Sequence, residues 1–74
     1  MNNQILKGNW KQAKGLIKET WGKMTDDEIE KIEGNYDKLL GKVQEKYGSN
    51  LDESKSKVNS FLKTLQKKVD GKEH

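Results

Sequence analysis

A chain of 74 residues without cysteine or proline has room for one small domain, and it excludes a disulfide framework, a thiolate nucleophile and a cysteine metal site. Apolar residues make up 30% and charged residues 36%, with a mean hydropathy of -1.16, so the chain lies near the border below which a sequence buries too little to fold. The formal net charge of +3 rests on fifteen lysines and no arginine, which favours a solubilising surface over the planar forks that read phosphate and guanine.

Residues 1–7 hold Ile5 and Leu6, and the pattern does not decide between a packed extension and a loose end. The first main helix is predicted over 10–21. At 100° per residue Trp10, Ala13, Ile17, Trp21 and Met24 fall on one narrow stripe, with Leu16 opposite it and expected to be exposed. Asn9 is placed as its N-cap with Gln12 three residues on, and Gly22 as its left-handed C-terminal residue.

Thr25-Asp26-Asp27-Glu28 is the strongest local signal: a threonine cap, acids in the first turn where the helix dipole favours them, and Glu at the third helical position. It predicts a short helix over 26–33, carrying only Ile29 and Ile32 as apolar residues and stopped by Gly34. Asn35 caps the next helix, 36–47, whose stripe is Tyr36, Leu39, Leu40, Val43 and Tyr47, ended by Gly48. Asn50 with Glu53 starts the last helix, 51–69, with Leu51, Ser54, Val58, Phe61, Leu62, Leu65 and Val69 on one face. Residues 70–74 read as a frayed tail.

Segment 8–22 recurs as 34–48: both copies read Gly-Asn-aromatic at the front, Gly at the eighth place, Ile or Val at the tenth, Glu at the twelfth and aromatic-Gly at the end. A repeat so short cannot bury its own apolar face. The expected fold is therefore all-α, a four-helix bundle of two orthogonally packed α-hairpins spanning 1–74 as a single domain. The expected core is Trp10, Ile17, Trp21, Ile29, Ile32, Tyr36, Leu39, Leu40, Val43, Tyr47, Val58, Phe61, Leu62 and Leu65. At roughly 2 kcal/mol each their burial offsets only part of the ordering entropy, so low net stability is expected.

Gly15 and Gly41 occupy equivalent mid-helix places about 140° from the stripe, each costing about 1 kcal/mol relative to Ala. Two readings stand: approach of a partner or ligand, or helices kept weak so that folding responds to conditions. The second is favoured.

No catalytic, metal or cofactor site is expected. The single histidine, His74, is the final residue of the sequence, so no nucleophile–base pair or imidazole cluster can be built. Asp26, Asp27 and Glu28 are explained by the helix start they occupy. The four repeat aromatics, Trp10, Tyr36, Trp21 and Tyr47, read as core rather than base-stacking rings. Lys55, Lys57, Lys63, Lys67 and Lys68 surround an apolar face that is more simply core than membrane-binding surface. With no signal-peptide core and no apolar run near the ~18 residues of a spanning helix, the expectation is a cytoplasmic monomer without membrane contact.

The motifs Gly8-Asn9-Trp10-Lys11-Gln12, Lys14-Gly15, Lys18-Glu19, Trp21-Gly22-Lys23 and Thr25-Asp26-Asp27 run on to Ile32-Glu33-Gly34, Asp37, Leu39, Gly41-Lys42, Gln44 and Lys46-Tyr47-Gly48. In that order they resemble the CsbD-like family of small bacterial proteins over about 8–58. The resemblance implies a cytoplasmic protein of the general stress response, an all-α fold of two crossed hairpins, and no catalytic or binding residues to carry over. That fold is similar in topology to SAM and helix-hairpin-helix domains, which leaves nucleic-acid binding open by analogy alone. The expected function is a non-enzymatic stress-response protein acting as a hydrophilic protectant or weak interaction module. The alternative is a small helical nucleic-acid-binding domain using lysines of the last helix and the Gly34 or Gly48 turn.

Overall fold

A computed structural model describes residues 3–71, which form five α-helices: α1 (Asn3–Gly8), α2 (Trp10–Thr20), α3 (Asp26–Ile32), α4 (Tyr36–Tyr47) and α5 (Leu51–Gly71). The protein is all-helical among these residues. The sequence pattern predicts four helices, and the fifth is α1. Six residues are too few for periodicity to register or for a helix to form unaided, so its order comes from packing: Leu6 is fully buried. The expected tail also differs, since α5 continues through Asp70 and Gly71; residues 72–74, His74 among them, lie outside the described residues.

Helix boundaries follow local chemistry. Thr25 Oγ1 accepts from the Glu28 N–H (3.2 Å) while the Thr25 N–H donates to Glu28 Oε1 (2.9 Å), a closed capping box. Asn35 Oδ1 accepts from the Lys38 N–H, and Asn50 Oδ1 from the Glu53 N–H. Gly48 takes the left-handed conformation (φ 62°) and closes α4 through its N–H to Gln44 O.

Three boundary expectations are corrected. Asn9 makes no side-chain cap on α2; its Nδ2 donates to Ile5 O at 3.1 Å, because α1 ends immediately before it and its carbonyls need a donor. Gly22 is not left-handed: Trp21 ends α2 at φ -123° with its N–H on Ile17 O, and Met24 N–H then closes the turn onto Trp21 O. At the end of α3 the left-handed cap is Glu33 (φ 54°), with Gly34 following at φ 76°. Gly34 has a second reason to be glycine, since a Cβ there would stand 3.0 Å from Lys7 Cα, where the turn packs on α1.

α5 is the spine, packed against α1, α2 and α4, while α3 packs on α2 and α4. Ile17, Trp21, Ile29, Ile32, Tyr36, Leu39, Leu40, Val43, Val58, Phe61, Leu62 and Leu65 are buried in one cluster with Leu6, Ala13, Leu16 and Met24. Trp21 and Phe61 pack with their rings tilted at 41° and 5.0 Å between centroids. Trp10 and Tyr47 depart from the expected core: both are half-buried at its edge. Leu16 departs in the other direction, buried to 7% exposure. A stripe calculated for one helix against one neighbour misses it, because α2 packs on α1, α3 and α5 together, and Lys68 of α5 borders the same groove as Leu16. Ser54 is fully buried with its hydroxyl unpaired, a desolvation cost carried inside the longest helix.

Candidate functional site

The densest polar chemistry surrounds α3. Its first turn places Asp26, Asp27 and Glu28 at the positive end of the helix dipole, and the lysines of both neighbours reach them. From α2, Lys14 Nζ meets Glu30 Oε2 at 2.8 Å, and Lys18 Nζ lies 3.5 Å from Asp26 Oδ1 while donating to Met24 O. From α4, Lys46 Nζ meets Glu28 Oε2 at 2.9 Å and Lys42 Nζ lies 3.8 Å from the same oxygen, with Glu45 Oε1 2.9 Å from Lys42. Lys38 and Glu33 pair at 3.8 Å beyond the C-terminal end. Five of the six ion pairs among the described residues thus involve α3 or its C-terminal cap, and the sixth shares Lys42.

Glu28 is the centre of this arrangement. The Thr25 backbone N–H, and then the Lys46 ammonium, stabilise its charged form and hold its carboxyl down at about 2. The Lys42 ammonium is held above the ordinary lysine value, first by its hydrogen bond to Glu45. A groove of about 530 Å³ lies along the α3–α4 side, with Gly41 in its wall among Glu28, Lys31, Lys38 and Lys42. A second of about 350 Å³ lies on the α2 side, with Gly15 beside Lys14, Lys18 and Asp26. The two mid-helix glycines therefore flank α3 from opposite sides. A Cβ added at either would meet nothing within 4 Å.

Apart from Lys31, the charged residues lining these grooves are engaged in ion pairs with one another or with neighbouring side chains. Among the described residues no group of three or more His, Asp or Glu side chains is placed to hold a metal ion. Asp26 and Glu28, two apart in sequence, are turned to different partners. The lysines of α5 lie exposed, Lys57 reaching the Ser49 hydroxyl at 3.2 Å. Lys57 and Lys23 stand 5.9 and 5.1 Å from the Tyr47 ring centroid, and the Lys23 N–H donates to the Tyr47 hydroxyl. Of the two glycine turns proposed for phosphate, that at Gly34 is buried against Lys7 and bordered by Glu33 and Asp37. No described helix is long and apolar enough to cross a membrane.

The capping box is legible in the sequence, whereas the clamp formed by lysines of α2 and α4 on the carboxylates of α3 is not. Its only trace is the spacing of Lys14 with Lys18 and of Lys42 with Lys46, four apart on one helix face.

These features define a small all-helical protein whose polar surface is organised around one short acidic helix. The chain belongs to the CsbD-like family, which it matches over residues 4–56, from α1 into the second turn of α5. It is similar to the UPF0337 protein YjbJ of Escherichia coli K12, 58% identical over 33 residues that make up 45% of this chain and 48% of that protein. A UPF0337 protein of Rhodopseudomonas palustris is 61% identical over 28 residues, 38% of this chain and 42% of the relative. One from Pseudomonas aeruginosa is 53% identical over 30 residues, 40% and 46% respectively. The chain thus aligns with less than half the length of these curated relatives. No solved structure matches it.

Proposed function

We propose that this chain is a non-enzymatic bacterial stress-response protein of the cytoplasm, acting as a monomeric hydrophilic protectant through a fold held near its stability limit. The observation that supports this reading most is the open space around Gly15 and Gly41. Each weakens a helix by about 1 kcal/mol relative to Ala and gains no packing in return, so local weakness is a better account of both than close approach. The unpaired Ser54 hydroxyl acts in the same direction. The stress association rests on membership of the CsbD-like family.

On this reading α2–α3 and α4–α5 are the two hairpins of a duplicated unit crossing each other, with α1 added in front. In support, repeat-equivalent Ala13 and Leu39 are both fully buried, as are Ile17 and Val43. The protectant reading is tested by drying and freezing a labile client enzyme with the protein at physiological concentration. Client activity recovered beyond that with an inert protein of equal mass supports it, and equal recovery sinks it.

Nucleic-acid binding is the second reading. The observation in its favour is the approach of Lys23 and Lys57 to Tyr47 beside the Gly48 turn, without a carboxylate partner among the described residues. Retention on DNA at about 50 mM salt, with a steep log–log salt slope, is its signature. Absence of retention removes it.

A further inference from the structure

We propose that α3 is an electrostatic strap, whose ion pairs to α2 and α4 add to the burial of Ile29 and Ile32 the margin that keeps it docked, and that rising ionic strength loosens it locally while the rest of the helical fold persists. The apolar anchor of α3 consists of Ile29 and Ile32 alone, whereas α5 buries Val58, Phe61, Leu62 and Leu65. Seven residues are also too few to stay helical without tertiary support. What α3 has in excess is charge pairing. Lysines reach it from both neighbours, and no ion pair among the described residues involves α1 or α5.

Fixed joints bound such a motion, Met24 being fully buried and Gly34 packed on Lys7. On one side the chain turns through Gly22, Lys23 and Met24; on the other it passes two successive left-handed residues, Glu33 and Gly34. Gly15 and Gly41 leave the flanking grooves open, so no side chain at those positions covers the ion pairs from salt and water. The two edges differ in exposure. Asp26 and Glu30 on the α2 edge are 89% and 62% exposed, whereas Glu28, Lys42 and Lys46 on the α4 edge lie between 23% and 28%. Screening acts most on exposed charges, so the α2 edge loosens first. Release uncovers the apolar faces of α2 and α4 that Ile29 and Ile32 now cover. The strap is a property of the fold and holds whether or not a client enzyme is protected.

Amide hydrogen exchange on the whole chain, read by NMR, tests this. Between about 0.05 M and about 1 M sodium chloride, where the Debye length falls to about 3 Å, amides of α3 should exchange about tenfold faster relative to those of α5. An α3-to-α5 ratio that stays constant overturns the proposal. In a Glu28→Gln, Glu30→Gln double variant, α3 should exchange fast already at low salt and respond little to added salt. A full salt response there overturns the proposal equally. Should the double variant fail to fold, Glu30→Gln alone removes just one exposed partner, and it must still diminish the response.

Discussion

Glu28 on α3 and Lys46 on α4 meet at 2.9 Å, while the other carboxylate oxygen of Glu28 closes the capping box with the Thr25 N–H. One side chain thus joins a helix start to a helix–helix contact, and its charge is required for both. Its carboxyl, at about 2 when folded against an ordinary 4.5, favours the folded state wherever it is ionised. That contribution is fully present above about pH 4.5 and is lost as pH falls towards 2. The groups facing Glu28 are Lys42 and Lys46 from α4 and Thr25 from its own cap. Thermal melts by circular dichroism should show the midpoint falling between those pH values. In Glu28→Gln the fall should be shallower, from a lower starting point.

The two copies of the repeat place an asparagine before each main helix, yet the two side chains perform opposite tasks. Asn35 accepts a backbone N–H at the start of α4, and Asn9 donates to Ile5 O at the end of α1. Aspartate accepts but cannot donate when ionised. Asn35→Asp should leave stability unchanged or raise it by a few tenths of a kcal/mol, with the added helix-dipole attraction. Asn9→Asp should cost about 1 kcal/mol by losing the bond and setting a negative charge against a carbonyl. Chemical denaturation of the two variants reads the difference.

The glycines separate in the same manner. Gly15→Ala and Gly41→Ala should each stabilise by up to about 1 kcal/mol, since the added methyl meets nothing. Gly34→Ala should destabilise by more than about 1 kcal/mol, because it forces an L-residue to φ 76° and brings its Cβ against Lys7 Cα. Urea midpoints rank the three variants, and sedimentation of the double variant at 15 and 41 should show an unchanged mass.

What could be read from the chain and what could not divides along a physical line. Capping and periodicity are local, so the predicted bounds of the four main helices fall within two residues of those found, and Thr25, Asn35, Asn50 and Gly48 sit at boundaries their own side chains or φ angles explain. Asn9 and Gly22 were equally plausible by the same local rules and fail because a neighbouring element intervenes: α1 takes the Asn9 amide, and Trp21 closes α2 before Gly22 is reached. The clamp is tertiary from the outset. Lys14 and Glu30 lie sixteen residues apart, and nothing in a single sequence says which lysine face meets α3.

Leu16 gives the sharpest test of that distinction, because pattern and packing assign it opposite energies. On a helix with one buried stripe it would be an exposed leucine, and truncation would change stability by no more than about 0.5 kcal/mol. Buried at 7% exposure under a second layer, Leu16→Ala instead removes packed methyl groups and should cost about 2–3 kcal/mol, a large share of the stability of so small a domain. Leu51, 46% exposed, supplies the internal comparison. Its alanine variant should remain within about 0.5 kcal/mol of the parent. Equilibrium urea unfolding of Leu16→Ala and Leu51→Ala side by side checks both values, and equal small effects would mean that Leu16 is not buried in solution.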